Sequence, residues 1–135
     1  MEEAARFYEA TGVEALAIAI GNAHGVYRCT PKLNFEVLAA VHQRLPVPLV
    51  LHGGSGLSRS DFRSCIARGI RKINVATATF ASVEASVRRL YAAGGPEDYF
   101  DLHRAEIDGA YENVRRHIRI FGSENRAAGI LNPES

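Results

Sequence analysis

The chain has 135 residues, 47% hydrophobic and 23% charged, and 16 Lys and Arg against 15 Asp and Glu leave a net charge of +1. That balance suits a globular unit able to bury a core and excludes an intrinsically disordered chain. It offers neither a basic stripe for nucleic acid nor a polybasic surface for membranes, and no apolar run approaches the ~20 residues of a bilayer span.

Residues 1–135 read as a single unit that begins on a helix. Glu2 to Ala10 has helical composition, and Thr11-Gly12 supplies the stop. The acidic opening Met1-Glu2-Glu3 is unlike the basic end of a secretory leader. The apolar run Leu16-Ala17-Ile18-Ala19-Ile20 predicts a first strand, closed by His24. A loop over Val26 to Leu33 follows. Asn34 then caps a helix with apolar Phe35, Leu38, Val41 and Leu45. Pro46 and Pro48 bracket the entry to a second strand, Val47 to Leu51, closed by His52. Ser58-Arg59-Ser60-Asp61 has the capping-box pattern, and the helix it opens carries Phe62, Cys65 and Ile66 before Gly69. A third strand covers Arg71 to Val75. Phe80, Val83, Val87, Leu90 and Tyr91 then recur at helical spacing until Gly94-Gly95-Pro96. A long helix is expected from Glu97 to Ile120, with Ile107, Tyr111, Val114, Ile118 and Phe121 as its apolar stripe and a frayed Asn132-Pro133-Glu134-Ser135 tail behind it. Cys29 and Cys65 lack metal-type spacing and are expected as free thiols in a reducing cytoplasm.

Three apolar strands alternating with helices predict an α/β protein whose parallel sheet is buried on both faces. The separation of 28 residues between His24 and His52 matches one strand-helix-strand crossover of roughly 30 residues. Imidazoles leaving the carboxyl ends of neighbouring strands about 4.8 Å apart can converge on one metal ion. Each histidine is followed by glycine, as His24-Gly25 and as His52-Gly53-Gly54-Ser55-Gly56, and the second loop runs into a helix. Glycine-rich backbone before a helix start can cradle an anion. Read singly, such a histidine is a satisfied structural residue and such a loop a tight turn. The His52-Gly53-Gly54 segment also has the composition of an esterase oxyanion loop, but the chain holds no Gly-x-Ser-x-Gly elbow.

Taken together, Ala19-Ile20-Gly21-Asn22-Ala23-His24-Gly25, Val47 to Gly56, Lys72-Ile73-Asn74-Val75-Ala76-Thr77, Thr30 to Phe35 and Arg116 to Ser123 resemble the class II, zinc-dependent ketose-bisphosphate aldolases. The resemblance implies a partial TIM (β/α)8 barrel, its last three parallel strands with their helices plus a C-terminal helix. A complete barrel takes about 250 residues. It further implies Zn2+ held by His24 and His52, and the phosphate of dihydroxyacetone phosphate on Gly25, Gly53, Ser55, Ala76 and Thr77. Asn74 would contact the bound ketose. The implied reaction is reversible aldol cleavage of a fructose- or tagatose-bisphosphate, with zinc as Lewis acid on the carbonyl.

The family's Asp-His pair, which supplies the general acid and a third zinc histidine, has no counterpart here. Asp61, Asp98, Asp101 and Asp108 all fall in predicted helices. The resemblance therefore implies a carboxyl-terminal half, active only with a separate amino-terminal half-barrel chain. The competing reading is a non-catalytic fragment or subunit that binds sugar phosphates. Two open sheet edges also predict a homo-oligomer. A truncated frame with no stable fold of its own is the third reading.

Overall fold

The computed structural model describes residues 1–25, 27 and 29–127. The expected tail at 132–135 and part of the expected loop at 26–33 lie outside them. The chain divides into two compact units, Met1–Thr77 and Ala78–Ser135.

The first unit alternates helices and strands in the predicted order. Helix α1, Glu2–Thr11, has Glu2 and Glu3 in its first turn, where the helix dipole favours anions, and ends on Gly12 at φ 61°. The chain returns through β1, Leu16–Ala17, to α2, Phe35–Arg44, whose cap is the Asn34 side chain accepting the Val37 N–H at 3.0 Å. β2, Leu49–Leu51, leads into α3, Arg59–Ala67. There Ser58 and Asp61 form a complete capping box, each side chain accepting the other's backbone N–H. β3, Ile70–Ile73, closes the unit.

The three strands pair in parallel in the order β1-β2-β3, with Leu16 opposite Leu49, Ala17 opposite Val50, and Leu51 opposite Ile73. β2 is central and wholly buried. Leu49 and Leu51 join Leu38 and Val41 of α2 and Phe62 and Cys65 of α3 among the most deeply buried side chains, so the helices cover the sheet as the apolar pattern requires. β1 is shorter than the expected Leu16–Ile20 run. Past Ala17 its backbone leaves the ladder: the Ile20 N–H turns to the Asn22 Oδ1 at 2.8 Å, and the Ile20 carbonyl accepts from Asn34 N–H at 2.8 Å.

The second unit is a helical pair, α4 over Thr77–Ala92, which begins at the unit boundary, and α5 over Tyr99–Phe121. α5 starts two residues later than expected because Asp98 caps it, accepting the Asp101 N–H at 2.9 Å. The larger difference is which face is buried. Gly109, Asn113 and His117 are the buried positions of α5, and Ser86 that of α4. A Cβ on Gly109 would stand 2.7 Å from the Ser82 carbonyl oxygen and from the Val83 Cα, so the helices meet on small residues at close range. Asn113 donates to the Thr79 hydroxyl at 2.9 Å, and the His117 ring N–H donates to the Asn113 carbonyl at 2.8 Å. The expected apolar stripe faces away: Ile107, Tyr111, Val114 and Ile118 are all exposed. Positions 109, 113 and 117 share one helix face, whereas 107, 111, 114 and 118 fall on the far side. No helix among the described residues is long and apolar enough to cross a membrane.

Candidate active site

All eight residues singled out from the sequence lie in the first unit, seven on the loops that follow the carboxyl ends of the three strands and Thr77 at the start of α4. The His24 Nε2 stands 3.4 Å from the His52 Nδ1, with ring centroids 5.5 Å apart and planes tilted by 59°. His24 is exposed and His52 half-buried. Two nitrogens bound about 2.0–2.1 Å from a tetrahedral zinc stand roughly 3.3 Å apart, so the pair has the spacing of two corners of such a site. Among the described residues no His, Cys, Asp or Glu joins them to make a group of three. Two imidazoles are thus a partial donor set, and a catalytic zinc takes three protein ligands.

Asn74 follows the end of β3 and is tied to both neighbours. Its N–H donates to the Leu51 carbonyl at 2.9 Å, and its carbonyl accepts from Gly54 N–H at 3.4 Å. Its side-chain Nδ2 lies 3.1 Å from the His52 Nε2 and 3.3 Å from Nδ1, while Lys72 Nζ donates to its Oδ1 at 2.6 Å. The lysine thereby holds the amide with its N–H groups toward His52. Lys72 was part of the sequence motif, but its contact depends on the β3 register and is invisible in the order of residues.

Gly53 sits at φ 63°, and a Cβ there would collide with the Ala23 carbonyl oxygen. The second histidine loop can therefore lie against the first only as glycine. Gly54 packs over Phe62, Ile73 and the Asn74 carbonyl. Ser55 is buried beside it. Gly25 adopts φ 91° with open space around it. Ala76 is exposed, and Thr77 is the first residue of α4.

Two residues absent from the sequence-derived set join the histidine loops. Asn22 accepts the Ile20 N–H and donates to the His52 carbonyl at 2.8 Å. The Tyr27 hydroxyl accepts the Ala23 N–H at 2.9 Å and donates to the Gly53 carbonyl at 3.0 Å. The signal that could have found them was their proximity to His24 in the chain.

Three of the four aspartates weighed from the sequence occupy structural positions, and Asp108 is exposed on α5. Asp61 closes the α3 capping box, Asp98 caps α5, and Asp101 pairs with Arg104. Of the remaining histidines, His42 and His103 are exposed, and His117 is buried within its own unit.

The family model for fructose-bisphosphate aldolase class II matches residues 1–126. YdjI of Escherichia coli strain K12, named there as an uncharacterized protein, is 40% identical over 126 residues, which are 93% of this chain and 44% of that protein. The crystal structure of the YdjI aldolase from the same organism superposes with a TM-score of 0.82 at 37% identity, over 93% of this chain and 45% of that one. A fructose-bisphosphate aldolase structure from Campylobacter jejuni shares the fold with a TM-score of 0.69 at 24% identity, over 90% of this chain and 44% of its own. The chain thus spans less than half the length of these relatives, and its three parallel strands are part of an aldolase TIM barrel. Over that span it belongs to the class II fructose-bisphosphate aldolase family.

Proposed function

We propose that this chain carries the zinc and phosphate portion of a ketose-bisphosphate aldolase site, completed by an amino-terminal half-barrel on a separate chain or segment. The carrying observation is the 3.4 Å approach of His24 Nε2 to His52 Nδ1 on the loops that follow adjacent strands. These two imidazoles would hold the zinc, with the third ligand supplied from outside the described residues. A bound zinc supplies Lewis-acid polarisation of the ketose carbonyl.

The chain's own groups bind and orient. Gly25, Gly53, Ser55, Ala76 and Thr77 would receive the substrate phosphate, where glycines leave backbone N–H groups uncovered. Asn74, held by Lys72 and facing His52, is placed to hydrogen-bond a ketose oxygen beside the metal. The acid that moves the C4 hydroxyl proton is assigned to the amino-terminal half, because Asp61, Asp98 and Asp101 are engaged as caps or ion pairs and Asp108 is exposed on α5 in the second unit. The products would be dihydroxyacetone phosphate and an aldehyde.

A homo-oligomer is supported by the exposed apolar face of α5. The cleft of about 360 Å³ lined by Phe7, Leu16, Ile18 and Val37 supports a covering half-barrel beside β1. The two free thiols support a reducing cytoplasm.

The test is zinc stoichiometry and cleavage of fructose and tagatose bisphosphates by the purified chain, alone and mixed with a family amino-terminal half. Turnover only in the mixture, abolished by His52→Ala, is the expected result. Saturable binding of dihydroxyacetone phosphate without turnover in any mixture would instead establish the non-catalytic binding subunit.

A further inference from the structure

The β1–β2 ladder ends at the Ala17–Val50 pair, well short of His24. Strand pairing therefore does not set where the first histidine lies relative to the second. What spans the gap is side-chain hydrogen bonding. Asn22 reaches the carbonyl of His52 itself. Tyr27, on the far side of His24 in the chain, closes a second bridge: one hydroxyl takes the Ala23 N–H and gives its proton to the Gly53 carbonyl. Each histidine thus has a neighbouring peptide group fastened to the same phenolic oxygen. The Tyr27 ring also lies on the glycine loop, since a Cβ at Gly56 would come within 3.0 Å of its Cδ2.

We infer that Tyr27 is a positioning residue that, with Asn22, clamps the His24 loop to the His52 loop and so sets the separation of the two imidazoles. Its link to metal affinity rests on the zinc reading above, whereas the clamp itself does not. A phenol suits the task because its oxygen donates and accepts at once. Phenylalanine would keep the ring on Gly56 but leave the Ala23 N–H and the Gly53 carbonyl without this partner.

The test compares Tyr27→Phe with Asn34→Ala, which weakens the α2 cap elsewhere in the same unit. Amide hydrogen exchange in the full chain, normalised to the core Cys65 amide of α3, reads the clamp without any metal. Gly54 and Leu57, whose amides bond to the Asn74 and Gly54 carbonyls, lie on the loop opposite Ala23. In Tyr27→Phe their exchange is expected to rise roughly tenfold, and in Asn34→Ala to stay unchanged. Equal protection in Tyr27→Phe and the natural chain overturns the clamp. Zinc affinity of the chain mixed with a family amino-terminal half is the second readout, expected to fall about 10–100-fold in Tyr27→Phe and to hold in Asn34→Ala. An unchanged affinity in Tyr27→Phe overturns the positioning role. Absence of zinc binding by the natural chain mixed with the amino-terminal half counts against the zinc reading, and the exchange result still decides the clamp.

Discussion

Gly53 illustrates how much of this site rests on single backbone positions. At φ 63° it avoids the cost other residues incur in the left-handed region, and its missing Cβ leaves room for the Ala23 carbonyl. Gly53→Ala adds a clash that requires one histidine loop to move. The expected loss is about 1–3 kcal/mol of stability, together with loss of zinc binding, measured by urea denaturation and zinc titration. A variant that binds zinc like the natural chain would mean that the loops reach the same geometry without this contact. The glycine and both histidines were legible in the sequence because their types are chemically restrictive. Tyr27 and Asn22 were not, since tyrosines and asparagines near a loop are common, and only the fold shows which carbonyls they meet.

At the scale of the element, α3 joins a cap that local sequence announces to a thiol whose state depends on packing. The Ser58-Asp61 box is complete as its four-residue pattern predicts, because a cap is satisfied within one helical turn. Cys65, on the buried face of the same helix, has its thiol pushed up from 9.0 to about 11, chiefly by burial and secondarily by the nearby Asp61 carboxylate, with Arg68 opposing. The folded state thus holds the proton more tightly than the unfolded one. This stabilisation is fully present below pH 9 and is lost as the pH rises toward about 11. Urea midpoints should accordingly fall across that window by more in the natural chain than in Cys65→Ala. A thiol reagent at neutral pH should label exposed Cys29 quickly and Cys65 only on unfolding. Rapid labelling of both in the folded chain would contradict the burial of α3 against the sheet.

For the whole molecule, the decisive feature is apolar surface left in water. Ile107, Tyr111, Val114 and Ile118 form a row along one side of α5, with Tyr99 and Phe100 exposed near its start. A soluble chain rarely leaves so much contiguous apolar surface open. If self-association covers it, Ile107→Glu with Tyr111→Glu should shift sedimentation from oligomer toward monomer while leaving far-UV helicity intact. A natural chain that is monomeric at high concentration would assign this face to another partner. These substitutions lie in the second unit, so the histidine pair of the first provides an internal control through its zinc affinity.

The sequence by itself determined the order of helices and strands, the parallel α/β class, the caps of α2 and α3 and the two glycine-flanked histidines that follow the first two strands. All depend on short-range periodicity or on residue types with few alternative uses. Only the tertiary structure decided how far β1 pairs, which face of α5 is buried, and what joins the histidine loops. The apolar stripe of α5 was correctly located in the sequence, but periodicity reports which residues share a face, not what lies opposite it. Helix contact instead followed closest approach, set by Gly109 against Ser82 and Ser86. The distance between His24 and His52 likewise emerged from hydrogen bonds formed by residues far apart in the chain, a property of the folded arrangement that no local pattern encodes.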